Sequence, residues 1–378
     1  MYSSKPSQRP AELFMQRIDP RTARPARSGF ERSQLLPGRI AEMPRLSLGK
    51  LPTPLDEAPH LSAALGGPRI LFKRDDLTGV GLGGNKVRKL EFLIARALHE
   101  GADTLVASGG FQSNLARIAV AMANCVGMKT ELVLGGVPGE ARPLVGNLLL
   151  DSLLGANLTY VDTEPRWDFG DSIDRVVDQV RRRGGHPYVV PLGGSSAEGI
   201  ASYVCATLEL NQQLAELEIE PQHLVVGVGS GGTFTGLLLG QMNMQTSYRV
   251  TGISVSRTRE FLLDKIPEFA REAAADLSLA NFPQERDVLV HDDYVGKSYG
   301  ALTAGCTEAI RLVARTEGVI LDPVYSGKAM AGLIALIRKG VITRSETVVF
   351  LHTGGQPALF AYEPERLLTA EASLEESS

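Results

Sequence analysis

The sequence predicts an α/β protein built on open, mostly parallel sheets covered by helices. Three observations support this: short apolar runs alternate with amphipathic stretches, the runs are rich in β-branched residues on both faces, and glycines cluster where a run passes into the next helix. In chain order, Ile70–Phe72 reads as a strand, and residues 87–99 follow at helical spacing with Leu90, Leu93, Ile94 and Ala97 on one face. Thr104–Ala107 is the next strand. It ends in Ser108-Gly109-Gly110 and leads to an alanine-rich helix over 114–126. Further strands are expected at 131–134, 158–161, 188–191, 223–228, 249–255 and 347–351, with helical segments between most of them. Four strand-helix units over 90–195 are bracketed by Gly83-Gly84 and Gly193-Gly194, which predicts a small inserted domain. Residues 46–89 and 196–362 would then form a larger domain, with a ligand cleft between the two.

Length and composition agree with about two domains. The chain has 378 residues, 43% hydrophobic and 22% charged, enough for a substantial core and too apolar for global disorder. With 39 basic residues against 43 acidic ones the net charge is -4, so no overall basic field favours nucleic acid as a partner. No apolar run is long enough to cross a bilayer, and no signal-peptide core follows Met1. Cys125, Cys205 and Cys306 are odd in number and far apart, which fits a reducing, cytoplasmic setting better than a disulfide framework. Residues 1–45 form an Arg-rich arm with eight Arg, one Lys and four acids; an organelle-targeting role is an alternative that the acids and Pro10, Pro20 and Pro25 weaken. Residues 363–378 read as an acidic, solvated tail. The six histidines show no i,i+4 pair, and no metal site is expected.

The strongest local motif is Gly227-Val228-Gly229-Ser230-Gly231-Gly232-Thr233, after a strand and before a helix. Backbone N–H groups in such a turn converge on one point, and the helix N-terminus adds partial positive charge, so the loop suits a phosphate. A tight turn without ligand is the plainer alternative. The loop also satisfies the dinucleotide pattern, but the next strand runs into Ser256-Arg257 instead of a carboxylate, which disfavours NAD and leaves an NADP reading open through Arg257. No Walker lysine follows the glycines.

A second motif, Gly83-Gly84-Asn85-Lys86-Val87-Arg88-Lys89, places three cations at a helix start, against the helix dipole. A bound anion would offset that repulsion. A lysine in such a place has a lowered pKa and can act as an amine nucleophile and base, although most lysines are merely solvated. In Ser108-Gly109-Gly110-Phe111-Gln112-Ser113-Asn114, Ser113 can cap the next helix, or the same N–H groups can hold a carboxylate. Tyr299 and Tyr325 sit beside glycines at element ends, where core packing is the ordinary role. Thr353, in His352-Thr353-Gly354-Gly355, stands at the end of the last strand, where open α/β sheets present ligand contacts.

Together with Leu51-Pro52-Thr53-Pro54-Leu55, Lys73-Arg74-Asp75-Asp76 and Asp322-Pro323-Val324-Tyr325, these motifs resemble the 1-aminocyclopropane-1-carboxylate deaminase and D-cysteine desulfhydrase family, over about residues 46–362. Members are pyridoxal-phosphate enzymes of fold type II, the tryptophan-synthase-β type. The resemblance implies that Lys86 carries the Schiff base to the cofactor, and that Gly229, Ser230, Gly231, Gly232 and Thr233, with Lys89, hold its phosphate. Asn114 would bond the phenolic oxygen and Thr353 would face the pyridine nitrogen. A neutral hydroxyl at that nitrogen makes the ring a weaker electron sink and favours elimination of a good leaving group. Ser113 would contact the substrate carboxylate or relay a proton, with Tyr299 and Tyr325 near the reacting carbons.

The implied reaction is α,β-elimination from a small D-cysteine-like amino acid, with Lys86 as base, giving an oxo acid, ammonia and a thiol or sulfide. Family deaminases of the cyclopropane substrate carry glutamate and leucine where Ser326 and Thr353 stand, so the chain is closer to the desulfhydrase branch. Ring-opening deamination is the alternative. Leu115 and Phe234 replace histidines usual in that branch, which makes the site more apolar and admits a bulkier or less polar amino acid. A homodimer is implied by the family. An NADP- or anion-binding protein of similar fold remains the alternative from a different class.

Overall fold

A computed structural model describes residues 35–136, 143–162 and 168–368. Most of the Arg-rich arm and the tail beyond residue 368 therefore lie outside the described residues.

Ten strands form two sheets among these residues. The larger sheet runs in the order β1 (Leu55–Glu57), β2 (Arg69–Lys73), β10 (Thr347–Leu351), β7 (His223–Val228), β8 (Arg249–Ser254), β9 (Leu289–His291). All of its pairings are parallel except β1 with β2. The smaller sheet, β5 (Asn157–Asp162), β4 (Lys129–Gly136), β3 (Thr104–Gly110), β6 (Pro187–Val189), is parallel throughout. The sheets are α/β and mostly parallel, as the alternating pattern predicts.

The differences from expectation lie at element ends. β1 and β9 are three-residue edge strands, too short for their alternation to show. Ser108-Gly109-Gly110, expected as a turn, continues β3 in register with Val133, Leu134 and Gly135 of β4. Glycine there keeps the backbone buried between neighbours with no side chain to displace them. The glycine-loop helix begins at Gly232 and runs to Met244, longer than the apolar run at its centre.

The helix Lys86–His99 links the two sheets. Its predicted face, Leu90, Leu93, Ile94 and Ala97, is buried with Leu105 and Ala107 of β3, Leu132 and Leu134 of β4, and Leu115, Ile118 and Ala119 of the helix Asn114–Cys125. Burial of this apolar surface from water is what holds the helix on the smaller sheet.

The opposite side of its first turn carries a buried ionic network. Arg88 donates to Asp75 at 2.8 and 2.9 Å and to Glu209 at 2.7 and 2.9 Å. Tyr203 donates to Asp75 at 2.6 Å, Thr53 to Asp75 at 2.9 Å, and Lys73 to Glu209 at 2.5 Å. Arg88 thus has its counter-charges inside the protein. The expectation that all three cations of this turn await a bound anion is corrected for Arg88; Lys86 and Lys89 have no carboxylate partner among the described residues.

Burial alone would push the Glu209 carboxyl up, but the charges and hydrogen bonds of Arg88 and Lys73 outweigh it and hold it at about 2. A carboxylate lowered on folding contributes stability that is present above its unfolded pKa, about 4.3, and lost as the pH falls through the folded value. Wild type should therefore lose about 3 kcal/mol between roughly pH 5 and pH 2 on this account. In Glu209→Gln that component should be missing from urea denaturation measured across the same pH range. Glu209→Ala, which leaves two buried cations short of an anion, should cost about 3–5 kcal/mol at neutral pH in the same measurement.

Candidate active site

The C-terminal ends of β7, β8 and β10 and the turn before Lys86 open on one cleft, enclosing about 1030 Å³ with its mouth included. Thr353 follows β10, and its carbonyl accepts from Asn85 N at 2.9 Å. Gly84 lies at φ +124°, and a Cβ there would stand 3.2 Å from Thr353 O, so the turn can lie against the end of β10 only with glycine. This close approach brings Lys86, first in its helix, into the cleft.

Lys86 is half-buried, and its Nζ donates to Gly193 O at 3.2 Å. Burial lowers its pKa from the ordinary lysine value to about 8. Lys89, one turn on, is fully buried and donates to the same carbonyl at 3.0 Å. Its pKa is pushed well down, first by burial and then by the charge of Lys86. Neither amine has a carboxylate partner among the described residues.

The loop after β7 forms the adjoining wall. Gly231 caps the helix Gly232–Met244 at φ +95°, and a Cβ there would stand 2.7 Å from Ile266. Ser230 shares a hydrogen bond of 2.9 Å with Ser195, and Thr233 accepts from Asn85 Nδ2 at 3.1 Å. Gly229, Ser230, Gly231, Thr233 and Phe234 line the cleft. Gly232 and Lys89 stand behind that surface, where a Cβ on Gly232 would lie 3.0 Å from Lys89 Nζ. The Lys89 amine therefore supports the glycine turn from inside. Helix N-terminal N–H groups, two hydroxyls and an unpaired buried amine form a donor set suited to a phosphate.

The far wall comes from the helix Asn114–Cys125. Ser113 caps it, accepting from Ala116 N at 3.2 Å, as the capping expectation requires. Ser113, Asn114 and Leu115 all line the cleft, as do Thr353, Tyr299 and Tyr325. The two tyrosine hydroxyls are 2.8 Å apart, with the rings edge to face at 5.9 Å. Burial pushes Tyr325 up to about 12 and Tyr299 well above the ordinary value, so both are neutral near pH 7.

The residues expected from the motifs thus surround one space, with Lys89 and Gly232 immediately behind it. Sequence reasoning passed over Asn85, Leu192, Gly193 and Ser256 as lining residues, whereas the Ser108–Asn114 segment, expected as a turn whose Ser113 caps a helix or whose N–H groups hold a carboxylate, lines the cleft through Ser108, Gly109, Gly110, Ser113 and Asn114. The Gly193-Gly194 pair was visible as a domain bracket, and its carbonyl becomes meaningful only beside two lysines. Arg257, considered for a ribose phosphate, also lines the cleft and lies over the Phe261 ring at 5.0 Å. No group of three or more His, Cys, Asp or Glu residues is placed to hold a metal among the described residues.

Comparison with known proteins agrees with this geometry. The family model described as "Pyridoxal-phosphate dependent enzyme" matches residues 46–354. D-cysteine desulfhydrases from Salmonella paratyphi C and Salmonella choleraesuis are each 40% identical over 330 residues, covering 86% of this chain and 98% of theirs. The crystal structure of an ACC deaminase homologue superposes with a TM-score of 0.80 at 37% identity, covering 87% of this chain and 97% of that one. A pyridoxal 5'-phosphate-dependent aspartate racemase, with a TM-score of 0.58 at 17% identity over 84% of this chain and 92% of that one, shares the fold. The residues present suit the cofactor this family uses, since one cleft offers a lysine amine of lowered pKa and, on its adjoining wall, a glycine-lined cradle for a phosphate. The chain belongs to the pyridoxal-phosphate dependent enzymes of fold type II.

Proposed function

We propose that the enzyme catalyses α,β-elimination from D-cysteine or a closely similar small amino acid, converting D-cysteine and water to pyruvate, ammonia and hydrogen sulfide. The Cα–H and Cβ–S bonds break and a Cα=Cβ bond forms; the released aminoacrylate takes up water to give pyruvate and ammonia. The observation that carries this reading is the shared cleft of Lys86, the glycine cradle and the Tyr299–Tyr325 pair. The 40% identity to D-cysteine desulfhydrases over nearly their whole length supports the leaving group.

Bound pyridoxal phosphate supplies an aldehyde that links to amines and an electron sink that acidifies Cα–H. The chain supplies the rest. Residues Gly229–Thr233, backed by Lys89, would hold the phosphate, and an anion there would restore the charge that burial disfavours on Lys89. Lys86 Nζ, with its pKa near 8, is neutral often enough that it would hold the cofactor through its aldehyde and would take the proton from Cα. Thr353, in the cleft lining, would offer the ring nitrogen a neutral hydroxyl, which would limit the sink and suit a substrate with a good leaving group. Ser113, at the helix N-terminus, meets the substrate carboxylate. The neutral tyrosine pair can pass a proton to the departing sulfur.

Against ring opening of the cyclopropane amino acid, the residue after Tyr325 adds no acid to the cleft. Ser326 is buried and donates to Asp322 at 2.6 Å. Leu115 and Phe234 in the lining favour a second reading, a less polar or bulkier amino acid. We further infer a cytoplasmic homodimer. The three free cysteines support a reducing compartment, and the exposed Leu149 and Leu153 support a covered surface. No described helix is long and apolar enough to cross a membrane.

Purified enzyme should show a visible absorbance band that Lys86→Ala lacks, and should release oxo acid (pyruvate from the three-carbon substrates, 2-oxobutanoate from the cyclopropane amino acid) from D-cysteine faster than from L-cysteine, D-serine, L-cysteate or the cyclopropane amino acid. Absence of any oxo acid from all five would reject the substrate assignment. Because burial lowers the Lys86 pKa, cofactor uptake by the cofactor-free protein should accelerate with pH up to about 8 and then level off. A rate still rising steeply past pH 9 in stopped-flow absorbance would contradict this. Tyr325→Phe should keep cofactor affinity within about twofold and lower kcat by roughly 10²–10⁴-fold, read by pyruvate release.

A further inference from the structure

Behind Asn114 lies a fully buried polar cluster that the motifs did not reveal. It consists of Arg117, Asn147 and Asp151, the last two on the helix Gly146–Leu153. Arg117 Nε donates to Asn147 Oδ1 at 2.7 Å. Asn147 Nδ2 then donates to Asn114 Oδ1 at 2.9 Å and to Gln112 O at 2.9 Å. Arg117 Nη2 reaches Asn114 Oδ1 at 3.4 Å and Gly83 O at 3.2 Å, on the turn that presents Lys86.

Each amide orientation in this chain is dictated by the one before it. A guanidinium has donors only, so the Asn147 atom facing it must be oxygen. The Asn147 amide nitrogen is thereby turned to Asn114, and the Asn114 atom that meets it must be oxygen in turn. That leaves Asn114 Nδ2 as the atom directed elsewhere, and no acceptor engages it among the described residues. A Cβ on Gly355 would lie 3.0 Å from this nitrogen, so glycine there keeps the donor uncovered.

We infer that Arg117 and Asn147 are positioning residues that hold the Asn114 amide with its N–H donor toward the cleft, where it engages the phenolic oxygen of pyridoxal phosphate. The inference rests on the proposed contact between Asn114 and the cofactor, and it adds the two residues that make the contact one-sided. Asp151 is the buried acid whose charge, when ionised, acts on Arg117. Burial pushes its carboxyl up to about 7 while Arg117 draws it down, and neither carboxylate oxygen is hydrogen-bonded among the described residues. Gln112 secures the arrangement, accepting from Asn147 N at 2.8 Å and donating to Val145 O at 3.1 Å.

The test is a double-mutant cycle read as the dissociation constant of pyridoxal phosphate, obtained by titrating cofactor-free protein and following the visible band. Asn147→Ala and Asn114→Ala should each weaken binding roughly tenfold, and the double variant should be no weaker than Asn114→Ala within about twofold. A merely structural role for Asn147 would weaken binding by the same factor with or without Asn114, and that result overturns the inference. So does an Asn147→Ala affinity within twofold of wild type. Should Asn147→Ala fail to fold by its thermal midpoint, Arg117→Lys in the same cycle decides, with a loss of at least threefold expected only when Asn114 is present. No substrate enters the measurement, so failure of D-cysteine as a substrate would leave this result interpretable.

Discussion

Two lysine amines, one helical turn apart, meet at a single carbonyl oxygen, Gly193 O, with no carboxylate to balance either among the described residues. Burying unpaired cations is among the more costly things a fold can do, and proteins ordinarily relieve it by pairing or by deprotonation. Here burial lowers the pKa of both amines, and an anion bound beside them would restore their charge. The glycine turn beside Lys89 can admit an anion, and the lowered pKa of Lys86 leaves an amine able to react with an aldehyde. A phosphorylated aldehyde answers both demands at once.

The same helical turn shows how the remaining charge is confined. Arg88 faces away from the cleft and is saturated by Asp75 and Glu209, with Lys73, Thr53 and Tyr203 completing the network. Its charge is therefore consumed within the protein and adds nothing to the cleft. The network also ties β2 to the helix Ala197–Glu216 through Lys73 and Glu209, so the turn carrying Lys86 is held from behind while its front stays unpaired. Positioning by saturated rear contacts and activation by unsatisfied front contacts are separate tasks assigned to neighbouring residues.

On the opposite wall a second set of donors acts through Asn114. The guanidinium of Arg117 sets Asn147, and Asn147 sets Asn114, so the direction of one amide is fixed by a buried group two hydrogen bonds away. Leu115 and Phe234 add apolar surface to a lining that also carries Ser113, the tyrosine pair, Lys86, Ser256 and Arg257.

The α/β alternation, the glycine-rich phosphate turn, the lysine-bearing helix start and the Ser113 cap were legible in the sequence, because each depends on residues within a few positions of one another. Glycines at 229, 231 and 232 and cations at 86, 88 and 89 raise the expectation of an anion site from local sequence, and the ordered motifs identify the family. What tertiary structure alone decided is which cation faces inward. Arg88 and Lys89 are adjacent in sequence, yet one meets Asp75 and Glu209 while the other meets Gly193, partners that folding brings from 13 to 121 residues away. The Arg117–Asn147 clamp was likewise invisible, since its members stand 30 residues apart and carry no motif. Charge pairing and amide direction depend on distances between segments, and those distances exist only once the two sheets and the helix between them have packed.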